Sequence, residues 1–184
     1  MPGFKAVHVY PFTPDLAKAR RLAGGKRRTA VLYTYNDSYG ARLSQIVKTD
    51  LGAIGIDVRI RTFPYLELWT RLAKVGEPFD LAPLPWHADY LDPSDFLNAL
   101  LEGNTLPSFN DPVYQRKLAE AAALSGPRRY LAYQKLDADF VRNAAPWIAY
   151  GNEVDHEFFS SRMGCQLYKP LSVIDLAALC IRKR

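Results

Sequence analysis

Between Leu84 and Leu97 the sequence reads LPWHADYLDPSDFL, placing two carboxylates, Asp89 and Asp92, three residues apart beside Trp86, His87 and Tyr90. Such a group has two chemical uses. A carboxylate among aromatic rings can pair with a ligand ammonium, the rings adding apolar contact and cation–π attraction. A carboxylate just ahead of a helix can instead accept from its free amide groups. Asp92 precedes Pro93 and Asp95 falls three residues later, so Asp92 is expected to be the N-cap of the helix PSDFLNALL, with Asp95 adding charge to its first turn. Asp89 has no such duty. The residues alone leave it two readings: an exposed loop aspartate with Trp86 in the core, or the partner of a cationic ligand group.

Other chemistry lacks the residues it needs. There is no GxSxG elbow, no GxGxxG or GxxxxGK[ST] phosphate loop, and neither Cys165 nor Cys180 has a histidine near it in sequence. His8, His87 and His156 share no metal-ligand spacing, and the two cysteines form no CxxC pair. No enzyme, metal or cofactor is therefore expected. A Cys165–Cys180 disulfide is open to the protein only in an oxidising compartment.

The elements that must position Asp89 follow from periodicity and punctuation. TPDLAKARRLA predicts a helix capped by Thr13 with Pro14 at its first position, stopped by Gly24 and Gly25. TAVLYTY, Thr29 to Tyr35, reads as a strand. A helix from about Tyr39 to Ala53 places Leu43, Ile46, Val47 and Leu51 at helical spacing, and IDVRIRTF alternates as a half-buried strand. YLELWTRLAKV predicts a helix with Leu66, Trp69, Leu72 and Ala73 on one face. FDLAPLPW, Phe79 to Trp86, is a third strand candidate in which Pro83 and Pro85 each remove a backbone donor, suggesting an edge or an early end. Helices follow at about Pro93 to Leu101, Pro112 to Leu124 and Pro127 to Asn143, each opened by a proline, and APWIAYGNE is a short strand candidate.

The order βαβαβ, then helices and a returning strand, predicts an α/β domain with an open, largely parallel or mixed sheet flanked by helices. In such sheets ligands bind in the crevice outside the carboxyl ends of the strands, which is where Asp89 falls.

Composition fits one folded domain: 48% hydrophobic and 23% charged residues leave enough apolar surface for a core. The 24 basic against 19 acidic residues give a net charge of +5, part of it in KARRLAGGKRR, Lys18 to Arg28. That run is either a solvated helix end or an anionic-surface or nucleic-acid contact, and no aromatic residues interleave with it as a single-strand groove would require. The opening MPGFKAVHVYPF lacks a basic stretch followed by an apolar run, so no signal peptide is expected in this chain. No apolar segment reaches the roughly 20 residues that span a bilayer.

WHADYLDPSDFLNALLEGN resembles a segment in the C-terminal lobe of the oligopeptide- and dipeptide-binding solute receptors of ABC importers, through Trp86, Asp89, Tyr90, Asp92, Pro93, Phe96, Leu97 and Asn104. The resemblance covers nearly the whole chain. FTPDLAKARRLA is similar to the family's proline-aspartate helix. The stretch from ARLSQIVKTDLGAIGI to DLAPLPW follows its order of elements. GPRRYLAYQKLDADFVRNAAPWIAYGN matches its late helix, with Arg129, Tyr133, Ala145 and Pro146 as counterparts.

What the resemblance implies is one lobe of a type II periplasmic-binding-protein-like fold: residues 1–12 an irregular interlobe segment, 13–150 the α/β body and 151–184 a tail packing back. It implies that Asp89 accepts a bound peptide's α-amino group, with Trp86, Tyr90 and His87 along the neighbouring wall. It further implies an extracytoplasmic full-length protein, a larger N-terminal lobe that closes on this one, and ABC permease subunits as partners, with no nucleic acid. Pro83 and Pro85 stand where some oligopeptide binders carry a basic residue, so no anchor for the ligand's far end carries over.

Overall fold

β1, Arg28–Tyr35, and β2, Ile56–Phe63, pair in parallel along their whole length, a register that sets Tyr35 beside Phe63 at their carboxyl ends. The computed structural model in which this pairing is seen describes residues 7–102, 109–152, 154, 156–168, 171 and 174–182. Before β1 comes α1, Leu16–Leu22, and the crossover between the strands is α2, Ser38–Gly52. α2 packs on both strands through its smallest residues. Gly40 lies so close to β1 that an added Cβ would sit 2.3 Å from the Tyr35 carbonyl oxygen. Gly40 and Ser44 are accordingly the buried positions, and Ile46, expected on the inner face, is 58% exposed.

β1 is buried at Leu32, Tyr33, Thr34 and Tyr35 on both faces, as befits a strand with neighbours on either side. On the side away from β2 the neighbour is short. The expected strand Phe79 to Trp86 contracts to a single parallel bridge, Leu32 to Leu81, closed by Tyr33 N–H to Leu81 O at 2.9 Å and Leu81 N–H to Val31 O at 3.1 Å. Pro83 and Pro85 cannot donate, so the chain leaves the ladder and runs on to Trp86 without one.

α3, Tyr65–Leu72, buries Leu68 and Leu72 against β1, an i,i+4 pair, and turns Leu66 and Ala73 to solvent, so the expected face is displaced around the helix. The helical half comprises α4, Ser94–Leu101, α5, Pro112–Ala122, and α6, Gly126–Asp139, which runs into a π-helical turn at Phe140–Ala144. Their core is Leu97, Leu101, Leu118, Tyr133, Leu136 and Phe140, and a second cluster of Tyr33, Tyr35, Leu68 and Leu72 sits at the sheet. Leu84 packs against both clusters, so the segment leading to Trp86 is wedged at their junction.

Two further expectations are corrected. α1 is capped by Asp15, whose carboxylate accepts from Lys18 N–H at 2.8 Å, and not by Thr13. A carboxylate at that place also faces the positive end of the helix. Ala145 to Asn152 forms no strand. The π-turn closes on Phe140 O, Ala145 turns left-handed at φ 45°, and the chain comes away with Ile148 exposed and the Tyr150 hydroxyl 2.7 Å from that of Tyr39. Farther on, β3, Met163–Gly164, and β4, Cys180–Ile181, pair antiparallel, and Cys165 is disulfide-bonded to Cys180 across them. Asn104 lies outside the described residues.

Candidate functional site

Beyond the carboxyl ends of the strands the chain collects aromatic rings. Tyr35 ends β1, and its ring stacks on Tyr65 at 5.5 Å between centroids. Tyr65 opens α3 just past β2 and lies 6.3 Å from Trp69, which lies 6.5 Å from Trp86. The row therefore runs from the end of β1 across the start of α3 to the loop that carries Asp89. Burial, helped by the nearby oxygens of Tyr65 and Asp37, pushes the Tyr35 hydroxyl up to about 12, which keeps it a neutral donor. Among the described residues the buried Tyr35 hydroxyl and Trp69 Nε1 have no hydrogen-bond partner.

The loop is organised by a residue that sequence reasoning assigned elsewhere. Asp95, second in α4 and 1% exposed, does not merely add charge to the helix start. Its Oδ2 accepts from the Asp89 backbone N–H at 2.9 Å and from Trp86 Nε1 at 3.3 Å. One oxygen thus ties the tryptophan and the aspartate of the W-x-x-D stretch to the same point. The Asp89 side chain is exposed above it. Tyr90, 47% exposed, places its hydroxyl 3.2 Å from Ser94 Oγ, Trp86 is half-buried against the helical core, and His87 is exposed.

Asp92 is not the N-cap expected of it but serves the start of α4 from one residue farther out, and it has a second duty. Its Oδ1 accepts from Ser94 N–H at 2.9 Å, capping α4 from one residue ahead of the helix's own N-cap, Pro93. Both oxygens also receive the Arg129 guanidinium, with Nη2 to Oδ1 at 2.7 Å and Nε to Oδ2 at 3.0 Å. Those bonds, with the Ser94 amide, hold the Asp92 carboxyl down to about 2 despite partial burial. The two carboxylates of the stretch therefore differ: Asp92 is consumed within the fold, whereas only the backbone of Asp89 is.

The basic run Lys18 to Arg28 lies at the amino end of β1, away from the Trp86 loop, and Arg20 spends its Nε on Ala53 O at 3.0 Å at the exit of α2. A surface hollow of about 510 Å³ lies between α5 and α6, lined by Lys117, Ala121, Leu124, Ala132 and Leu136, and includes none of residues 86–90. Among the described residues no group of three or more histidine, cysteine or acidic side chains is placed to hold a metal, and no helix is long and apolar enough to cross a membrane.

This architecture, a parallel α/β sheet flanked by helices, is that of part of a type II periplasmic binding protein. No family model matches the chain. Di/tripeptide-binding protein 2 of Pseudomonas aeruginosa (strain UCBPP-PA14) is 23% identical over 184 residues, taking in 94% of this chain and 34% of that protein. Among solved structures, clavulanic acid biosynthesis oligopeptide binding protein 2 superposes with a TM-score of 0.79 at 19% identity, covering 99% of this chain and 37% of the other. A dipeptide binding protein from Pseudoalteromonas sp. SM9913 in complex with Met-Leu gives 0.73 at 19% identity, with 98% and 38% covered. The resemblance to peptide-binding solute receptors of ABC importers is thus borne out, and the chain spans about a third of the length of the curated relative it matches.

Proposed function

We propose that this chain is the C-terminal ligand-binding lobe of an ABC transporter substrate-binding protein, and that Asp89 receives the α-amino group of a bound peptide. The observation that carries the reading is the Asp89 loop itself. Its carboxylate is exposed at the carboxyl edge of the sheet, at the end of an aromatic row, while its backbone is pinned from below by Asp95. Trp86 and Tyr90 supply wall around the ammonium, and His87 stands beside them at the surface. Backbone contacts to an extended peptide would give affinity with little choice of side chain.

The mechanism is capture between two lobes that close around the ligand, the closed form being what permease subunits read. The chain spans about a third of the curated relative's length, which supports a reading in which a partner lobe completes the cleft. Large apolar side chains of the tail stand exposed, Phe158 and Tyr168 at 92% and Leu176 at 75%. The Cys165–Cys180 disulfide supports an extracytoplasmic setting.

One lobe offers half a cleft. A charge-assisted hydrogen bond contributes about 1.5–3 kcal/mol, against the roughly 8 kcal/mol that micromolar affinity requires. The chain alone should bind peptide only at roughly 10 to 100 mM. NMR titration of the 184-residue chain with Ala-Ala and with N-acetyl-Ala-Ala tests this. The Asp89 and Tyr90 amides should respond to the free amine only, and Asp89→Asn should abolish the response. An equal response to the acetylated peptide, or none to either, sinks the assignment, and micromolar affinity measured by calorimetry would refute the half-cleft.

A further inference from the structure

We propose that Asp95 is the positioning residue of this site, a role that rests on the Asp89 reading above. The reason lies in what the carboxylate touches. At the second position of α4 a carboxylate would ordinarily serve the free amides and positive end of its own helix. Asp95 instead reaches back six residues to the Asp89 N–H and nine to the Trp86 indole, joining both to one oxygen. Its other oxygen is buried and, among the described residues, makes no hydrogen bond.

Burying a carboxylate with so few donors is costly, and an apolar residue of similar size would fill the space without that cost. What the carboxylate supplies is geometry. With the Asp89 amide held, the backbone from which that side chain projects is held in place. With the indole fixed to the same atom, the ring and the carboxylate keep a constant relation. Asp92 and Arg129 hold the other side of the loop to α6, so the stretch from Trp86 to Ser94 is restrained from two independent anchors. The ammonium partner is then presented ready-made and loses little freedom on binding.

The test uses NMR on the 184-residue chain, with Ala-Ala as probe. Two readouts are needed: the Trp86 indole N–H resonance, which reports the bond directly, and the peptide response of the Tyr90 amide. Asp95→Asn keeps one acceptor oxygen for both donors and should retain the indole resonance and the response. Asp95→Leu should move the indole resonance upfield and weaken Ala-Ala binding about tenfold or more. If Asp95→Leu leaves both readouts at their wild-type values while Asp89→Asn abolishes the response, the positioning role is overturned and the Asp89 reading stands. If the wild-type chain ignores Ala-Ala, the Asp89 reading fails, and the indole resonance still shows whether Asp95 holds Trp86. Should Asp95→Leu not fold, hydrogen exchange in the wild-type chain decides: the Asp89 amide and the Trp86 indole should both be protected, and exchange at the free rate would overturn the role.

Discussion

Arg129 and Asp92, 37 residues apart in sequence, form a two-pronged ion pair with Nη2–Oδ1 at 2.7 Å and Nε–Oδ2 at 3.0 Å, and their side chains are only 17% and 23% exposed. The same guanidinium donates from Nη1 to Ala122 O at 2.7 Å and lies over the Tyr133 ring at 4.9 Å. It therefore ties the entrance of α4, the exit of α5 and the body of α6 together. Lysine carries the charge but not the fork. Arg129→Lys is expected to destabilise the chain by about 1–3 kcal/mol, read from urea melts. A midpoint equal to wild type would contradict the pair's importance.

Acid should act through the same contact. The Asp92 carboxyl is held at about 2 in the folded protein against its ordinary 3.8, so the stabilisation it provides is complete above about pH 4 and lost as pH falls through 2. Glu77, beside Arg71, and Asp139, beside Lys117, are lowered as well and act in the same direction. The melting temperature should drop between about pH 4 and 2, and Asp92→Asn should flatten part of that drop. An unchanged slope in the variant would assign acid sensitivity elsewhere.

The approach of α2 to β1 leaves no room at Gly40. A Cβ there would meet Tyr35 O at 2.3 Å and Thr34 Oγ1 at 2.9 Å, while at Gly52, in the same helix, nothing lies within 4 Å. Gly40→Ala is expected to cost about 1–3 kcal/mol, whereas Gly52→Ala should be neutral or stabilising by up to about 1 kcal/mol. Thermal melts of the two variants side by side check the contrast, and equal effects would place α2 farther from the strand.

The disulfide offers a separable measurement. Cys165 and Cys180, 15 residues apart, tie together the short β3–β4 pair. A closed loop of about that size corresponds to roughly 3 kcal/mol in chain-entropy terms. Reduction, or the double change Cys165→Ser with Cys180→Ser, should speed proteolysis between residues 156 and 182 and leave cleavage within α4 to α6 as it was. Faster cleavage throughout would mean that the tail supports the whole body.

Regular elements were legible in the sequence because they are local. IDVRIRTF shows its alternation directly, and prolines and glycines marked the helix ends to within a few residues. What escaped depends on distance. Nothing in DPSDFL says that Asp95 will turn back to Asp89 and Trp86, since that bond requires the loop to fold over the helix start. Arg129 could be singled out only by resemblance, because its partner lies far upstream. The aromatic row does have a signal in the sequence: an aromatic residue stands at or just past the exits of β1 and β2, at Tyr35 and Tyr65, and Trp86 closes the third strand candidate. Two strand candidates failed for backbone reasons, Pro83 and Pro85 in one, the left-handed Ala145 ahead of Pro146 in the other.

The prolines that cut the third strand short have one more effect. A parallel sheet left open at its side would offer a neighbouring molecule a row of free amides to pair with. Here the Leu81 amide points at β1, and Pro83 and Pro85 stand at the alternate positions where the next donors toward β1 would fall, so the segment cannot lengthen its own ladder and leaves the sheet. The early exit carries Leu84 to the junction of the two cores, so residues that would have lengthened an open edge are spent on joining the sheet to the helices.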